Sequence, residues 1–120
     1  MIFIGNDIVE VSRIDTLLKK YNSRFLNKIF SKDEIRVVYK KKHQSIHFSG
    51  KFSAKEASIK ALLSAGIGSN IYIKDIEILN KQNGAPYIKI RKIDMNTIKN
   101  FQITISHTDL YATAFSVLEL

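Results

Sequence analysis

A chain of 120 residues, 45% hydrophobic and 25% charged, has the balance of a folded globular protein with room for one core. Residues 1–120 are therefore expected to form one domain whose site is built from a few elements or shared between subunits. The absence of cysteine excludes disulfides, thiolate zinc centres and cysteine nucleophiles, and leaves oxygen or imidazole ligands for any metal. The 19 Lys and Arg against 11 Asp and Glu give a net charge of +8, which suits nucleic acid, an anionic membrane, a polyphosphate or an acidic protein without choosing among them.

Alternating apolar residues in "MIFIGNDIV" predict a first strand to about Ile8, with Asp7 near its end. Val11, Ile14, Leu17, Leu18 and Tyr21 then recur at helical spacing, with Arg13, Asp15, Lys19 and Lys20 between them, which predicts an amphipathic helix with a mostly basic outer face. "RFLNKIF" adds a short helical piece, and the Ser-x-x-Glu of "SKDE" at 31–34 is a capping box opening another helix through Ile35, Val38 and Tyr39. The run "KKK" at 40–42 reads as a solvated helix end. Phe48, Phe52, Ile59, Leu62 and Leu63 trace one face of a longer helix that the glycines of "SAGIGSN" terminate.

Beyond that helix the period changes. "IYIKDIEI" and "YIKIRKI" alternate about "NG" at 83–84, predicting a β-hairpin over 71–93. A polar connection, "DMNTIKN", leads to "FQITISH", a turn at "TD" and "LYATAFSVLEL", a closing strand pair. The order of one strand, then helices, then an antiparallel meander predicts an α+β fold with the helices packed on one side of the sheet, meeting it around Asp7, Glu56 and "ISHT". No apolar run approaches the roughly 18 residues of a membrane span, and "MIFIGNDIVE" meets an acid too early for a signal peptide, so a cytoplasmic location is expected.

Two readings of the acids stand side by side. Asp7 and Glu56 together suit a hydrated Mg²⁺, which needs only one or two carboxylates when the phosphates of its ligand supply the remaining charge. Alternatively, Asp7 caps the entry into the first helix and Glu56 pairs with Lys60 one turn away. Gly66 and Gly68 follow a helix instead of opening one, which matches neither the dinucleotide fingerprint nor the P-loop. His107, between Ser106 and Thr108, fits a turn residue, a donor to phosphate or a proton carrier. A small basic nucleic-acid module accounts for the charge but not for Asp7 and Glu56, since carboxylates repel a phosphate backbone.

Taken together, "IGNDIVEVSRI" at 4–14, "RFLNKIFSKDE" at 24–34, "GKFSAKEASIKAL" at 50–62, "DIEILNKQNGAPYI" at 75–88 and "ITISHTDLYATA" at 103–114 resemble the holo-acyl-carrier-protein synthase family of 4′-phosphopantetheinyl transferases, almost end to end. The resemblance implies an α+β fold of that family and transfer of phosphopantetheine from coenzyme A to a serine of apo-acyl carrier protein in fatty acid biosynthesis, releasing adenosine 3′,5′-bisphosphate. It implies Asp7 and Glu56 as magnesium ligands, with Lys60 stabilising charge at the reacting phosphate or helping to remove the serine proton, a role equally open to Glu56 or a metal-bound water. His107 joins these as a catalytic candidate. Lys51, Lys60, Gly66, Asn83, Gly84, Pro86, Ser106, His107 and Thr108 are implied coenzyme contacts, Lys51 standing where the family more often has arginine. The resemblance also implies a homotrimer with sites at the subunit interfaces, and no nucleic-acid or membrane partner. The acidic carrier protein would meet Arg13, Lys20, Arg24 and Lys28, with Leu17, Tyr21 and Phe25 as an apolar footing.

Overall fold

A computed structural model describes residues 1–120, in the order β1 (Ile2–Glu10), α1 (Val11–Tyr21), α2 (Ser23–Ile29), α3 (Lys32–Tyr39), α4 (Gln44–Ser64), β2 (Ile76–Asn80), β3 (Pro86–Ile90), β4 (Asn100–His107) and β5 (Tyr111–Glu119). Every strand pairing is antiparallel, as the sequence pattern predicts. The strands form two sheets. The central β5 lies between β1 and β4, while β2 and β3 make a separate hairpin.

Helix α4 is the element around which the rest packs. It buries Ser49, Gly50, Ser53, Ala54, Ala57, Ser58 and Ala61, all small, so neighbouring backbones can approach closely. The tightest approach is at Gly5 of β1, where an added Cβ would lie 2.0 Å from the Ala57 carbonyl oxygen. That neighbour is backbone and cannot step aside. Gly5→Ala is accordingly expected to destabilise the fold by about 1–3 kcal/mol or more, read as a lower denaturant midpoint at unchanged slope. Hydroxyl groups tie the same seam: Ser53 donates to the Asp7 carbonyl at 3.0 Å and Ser116 to the Ala57 carbonyl at 2.9 Å.

The predicted capping box is present, with Ser31 Oγ accepting from the Glu34 N–H at 3.2 Å and Glu34 Oε1 accepting from the Ser31 N–H at 2.8 Å. Gly66, at φ +76°, ends α4 in a left-handed cap in which the Gly66 and Ile67 N–H groups reach the Leu63 and Leu62 carbonyls.

Several expectations are corrected. β1 continues to Glu10, so Asp7 sits within the strand, and α1 begins at Val11, with Glu10 at the N-cap position making no side-chain cap. The first hairpin strand begins at Ile76, because Ile73–Asp75 forms a 3₁₀ turn. Leu63 is 55% exposed, while Ala61 and Leu62 of the same turn are fully buried, so the buried side of α4 does not extend to it. Beyond these corrections, two charged side chains near the middle of α4, Lys51 and Lys55, are buried.

Candidate active site

Strand register determines which side chains share the helix-facing surface of the sheet. Asp7 is aligned with Ala114 and Ile105, and Val9 with Ala112 and His107. Directly opposed residues point to the same side, and Val9, Ala112 and Ala114 are buried. Asp7 and His107 therefore face the helices, while Ser106, aligned with Thr113 and Ile8, faces away. Asp7 and Ile105 are separated by two strand spacings, about 10 Å.

The Asp7 side chain is only 16% exposed, and Lys60 lies on it, with Nζ 3.3 Å from Asp7 Oδ1 and donating to the Asn6 carbonyl at 2.9 Å. The surface-pair alternative, Glu56 with Lys60, is not formed. Half-buried Glu56 makes neither a hydrogen bond nor an ion pair. Burial first, and the neighbouring Asp7 charge second, hold the Glu56 carboxyl above its ordinary 4.5, while Lys60 and Arg13 pull the other way. A carboxylate kept partly from water, beside another, with no cation bound directly to it, is an arrangement that a hard cation would relieve. No third acid or histidine is grouped with the pair. This oxygen-only set fits an ion that takes one or two carboxylates and completes its shell with water and phosphate.

A cleft of about 280 Å³ lies between α3, the first half of α4, the β2–β3 hairpin and the end of β4, bounded by Ile105 and His107 of the same sheet face but not by Asp7, Glu56 or Lys60 themselves. Of the residues implied to touch coenzyme, Lys51, Gly84, Pro86 and His107 line it. Lys60, Gly66, Asn83, Ser106 and Thr108 do not: Lys60 is held at Asp7, Ser106 faces away, and the other three have local contacts that account for them. Gly66 is the helix cap, Asn83 Oδ1 accepts from the Ala85 N–H at 3.0 Å, and Thr108 Oγ1 accepts from the Tyr111 N–H at 3.1 Å.

Lys51 carries a structural duty within the cleft wall. Its ammonium donates to the Ile78 carbonyl at 2.6 Å, while the Ile78 N–H donates to Glu34 Oε2 at 2.8 Å. Both main-chain polar groups of Ile78 are thus held by buried side chains of α3 and α4. Burial keeps the Lys51 ammonium below its ordinary pKa, opposed by Glu34. Glu34 Oε1 in turn accepts from Lys55 Nζ at 2.7 Å, with both side chains 0% exposed. Lys41, His47 and Asn80 also line the cleft and were not singled out from sequence. The available signal for His47 was its position one turn before Lys51.

The basic surface expected on α1 and α2 is present. Arg13, Lys20, Arg24 and Lys28 are exposed, and Lys20 and Arg24 approach the Tyr21 ring at 5.3 and 5.9 Å. Phe25 is half-buried and sets its ring edge-on to core residue Phe30 at 6.3 Å, so it serves the fold as well as the surface. Leu17 is also half-buried. The Arg13 charge reaches Glu56, which places this surface beside the acidic centre.

Comparison with known proteins identifies the family of the chain. Residues 3–116 match the family model of the 4′-phosphopantetheinyl transferase superfamily. The holo-[acyl-carrier-protein] synthase of Protochlamydia amoebophila is 44% identical over 116 residues, covering 95% of this chain and 94% of the relative. The Helicobacter pylori holo-[acyl-carrier-protein] synthase, solved in complex with coenzyme A, superposes with a TM-score of 0.83 at 35% identity, covering 97% of this chain and 99% of that one. The Bacillus anthracis enzyme, in complex with CoA (3′,5′-ADP), gives 0.79 at 30% identity, covering 98% and 95%. The chain belongs to the holo-[acyl-carrier-protein] synthase family of phosphopantetheinyl transferases.

Proposed function

We propose that this chain transfers 4′-phosphopantetheine from coenzyme A to a serine hydroxyl of apo-acyl carrier protein, in a Mg²⁺-dependent reaction that releases adenosine 3′,5′-bisphosphate and serves fatty acid biosynthesis in the cytoplasm. The observation that carries the reading is the unpaired Glu56 carboxylate beside the Asp7–Lys60 pair, on the sheet face that also bounds a lysine- and histidine-lined cleft. Coenzyme A bound in the Helicobacter pylori relative supports the choice of donor.

The serine oxygen attacks the β-phosphorus, the bond from that phosphorus to the oxygen bridging to the α-phosphate breaks, and the nucleotide leaves with the electron pair. Asp7 and Glu56 would hold Mg²⁺, which when bound supplies charge neutralisation at the diphosphate. Lys60, half exposed and oriented by Asp7 and the Asn6 carbonyl, presents an ammonium to the transferring group and offsets charge that grows in the transition state. The serine proton leaves to a base in the same centre, where Glu56 is the carboxylate free of an ion pair and able to accept it. The cleft orients the nucleotide end, so catalysis here is mainly positioning and electrostatics. Arg13, Lys20, Arg24 and Lys28 steer the acidic carrier protein toward Glu56.

A homotrimer with sites at the subunit interfaces is part of this proposal. The outer face of the sheet supports it, because Ile4, Ile8, Tyr111 and Phe115 are 57%, 67%, 46% and 44% exposed on adjacent antiparallel strands. Light scattering is expected to give a trimer mass for the native protein and a monomer for Ile4→Glu/Phe115→Glu; a native monomer at working concentration would remove this part.

Chromatography of the nucleotide product tests the reaction itself. One adenosine 3′,5′-bisphosphate should appear for each apo-carrier protein consumed, with none when EDTA is present. Release of 4′-phosphopantetheine or pyrophosphate products without carrier modification would contradict it.

A further inference from the structure

His47 has no part in the transfer as described, yet it stands in the cleft wall one turn before Lys51. Its ring meets that of His107 edge-to-face, with centroids 5.9 Å apart and planes at 74°. The charged or titratable groups acting on it are His107 from β4, Lys41 and His43 from the segment between α3 and α4, and Lys51 from its own helix. None is an acid. The hairpin contributes Ile78, Asn80, Gly84 and Pro86, which carry no charge. Glu34 is committed to Lys55 and the Ile78 N–H, and Asp15 of α1 to Lys19 and Ser45. The wall around His47 is therefore cationic on every side that carries charge, and what it lacks is an anion.

We propose that His47 is a second phosphate-binding imidazole of the cleft, packed against His107, and that it takes up a proton when a phosphorylated ligand enters. This rests on the coenzyme reading of the cleft and deepens it. The proton comes from solvent onto an imidazole nitrogen, and no bond of the ligand changes. In the free protein, burial and the cations around the ring hold His47 neutral, its pKa below the ordinary 6.5. A phosphate dianion reverses the local field and favours the charged ring, which then donates from both nitrogens. By linkage, binding that takes up protons strengthens as pH falls, by up to about tenfold per pH unit for one proton. That gain continues until the phosphate itself begins to protonate near pH ~6. Edge-to-face contact also fixes the orientation of the His107 ring, so His47 positions one phosphate donor while acting as another.

Calorimetric titration with adenosine 3′,5′-bisphosphate, near pH 7 in buffers of differing ionisation enthalpy, measures the protons taken up directly. The wild type is expected to show net uptake. His47→Asn should lose that uptake and bind about tenfold more weakly, the loss expected for one hydrogen bond to a charged group. NMR titration of the wild-type imidazoles decides the matter independently of whether the variant folds: the His47 midpoint should lie below 6.5 in the free protein and rise when the nucleotide is added. Binding without proton uptake, equal uptake in His47→Asn, or an unmoved His47 midpoint would overturn the proposal while leaving the coenzyme reading intact. No binding of the nucleotide at all would overturn both.

Discussion

Glu56→Gln is expected to lower phosphopantetheine transfer by about 10²–10³-fold, a loss typical of removing one electrostatic contact at a reacting centre, while leaving the fold at least as stable as before. The stability half follows from contacts: Glu56 holds no hydrogen bond or ion pair that the substitution could break. The sign of the pH effect agrees. A carboxyl held above 4.5 in the folded state binds a proton more readily there than in the unfolded chain, so the ionised form opposes folding at neutral pH and the neutral amide removes that opposition. In the metal-free protein the Glu56 carboxyl should titrate above 4.5, and added Mg²⁺ should lower that midpoint. Added Mg²⁺ should raise the melting temperature of the wild type and have little effect on Glu56→Gln. A variant that loses both stability and activity would assign Glu56 a structural role instead.

The second large effect falls on stability. Removing Lys55 by Lys55→Met, or its partner by Glu34→Gln, is expected to cost about 3–5 kcal/mol, because each leaves a buried charge without its counterpart. Lys55 Nζ donates to Glu34 Oε1 at 2.7 Å and to the Ile29 carbonyl at 2.6 Å, and lies 5.0 Å from the centre of the Phe30 ring. Glu34 also caps α3 and accepts from the Ile78 N–H. The pair therefore joins the end of α2, the start of α3, the middle of α4 and the hairpin that walls the cleft. Urea unfolding should show the loss. Lys55→Met is expected also to weaken nucleotide binding, since the hairpin that carries Gly84 and Pro86 is anchored through Glu34. A midpoint within about 0.5 kcal/mol of wild type, the range of ordinary surface substitutions, would show that the pair is not structural.

What could be read from sequence was local chemistry with a short range. The capping box at Ser31 and Glu34 was legible because its partners lie three residues apart. The amphipathic spacing of α1 was legible because that helix has one wet face. The period failed on α4, which is covered by the sheet on one side and by the hairpin and the other helices elsewhere. Its inward positions are filled with serine, alanine and glycine, and its buried lysines resemble surface residues in any hydropathy pattern. The Lys55–Glu34 pair was not legible because its partners lie 21 residues apart. The stretch at 71–75 alternates like a strand, yet it leaves the sheet geometry because Asp75 turns back to accept from the Tyr72 N–H at 2.9 Å. Asp7, Glu56 and Lys60 were assembled through family resemblance, and the structure brings them together; the pairing of Lys60 with Asp7, leaving Glu56 free, needed the structure. His47 carries no motif, and only its placement against His107 draws notice.

Intact-mass spectrometry of apo-acyl carrier protein incubated with this chain and coenzyme A tests the central claim most directly, run with Mg²⁺, with EDTA, and with Glu56→Gln. The phosphopantetheine mass increment should appear with the wild type and Mg²⁺ and vanish in the other two arms. An increment that persists in EDTA, or that Glu56→Gln produces at the wild-type rate, would contradict a metal-assisted transfer centred on Asp7 and Glu56.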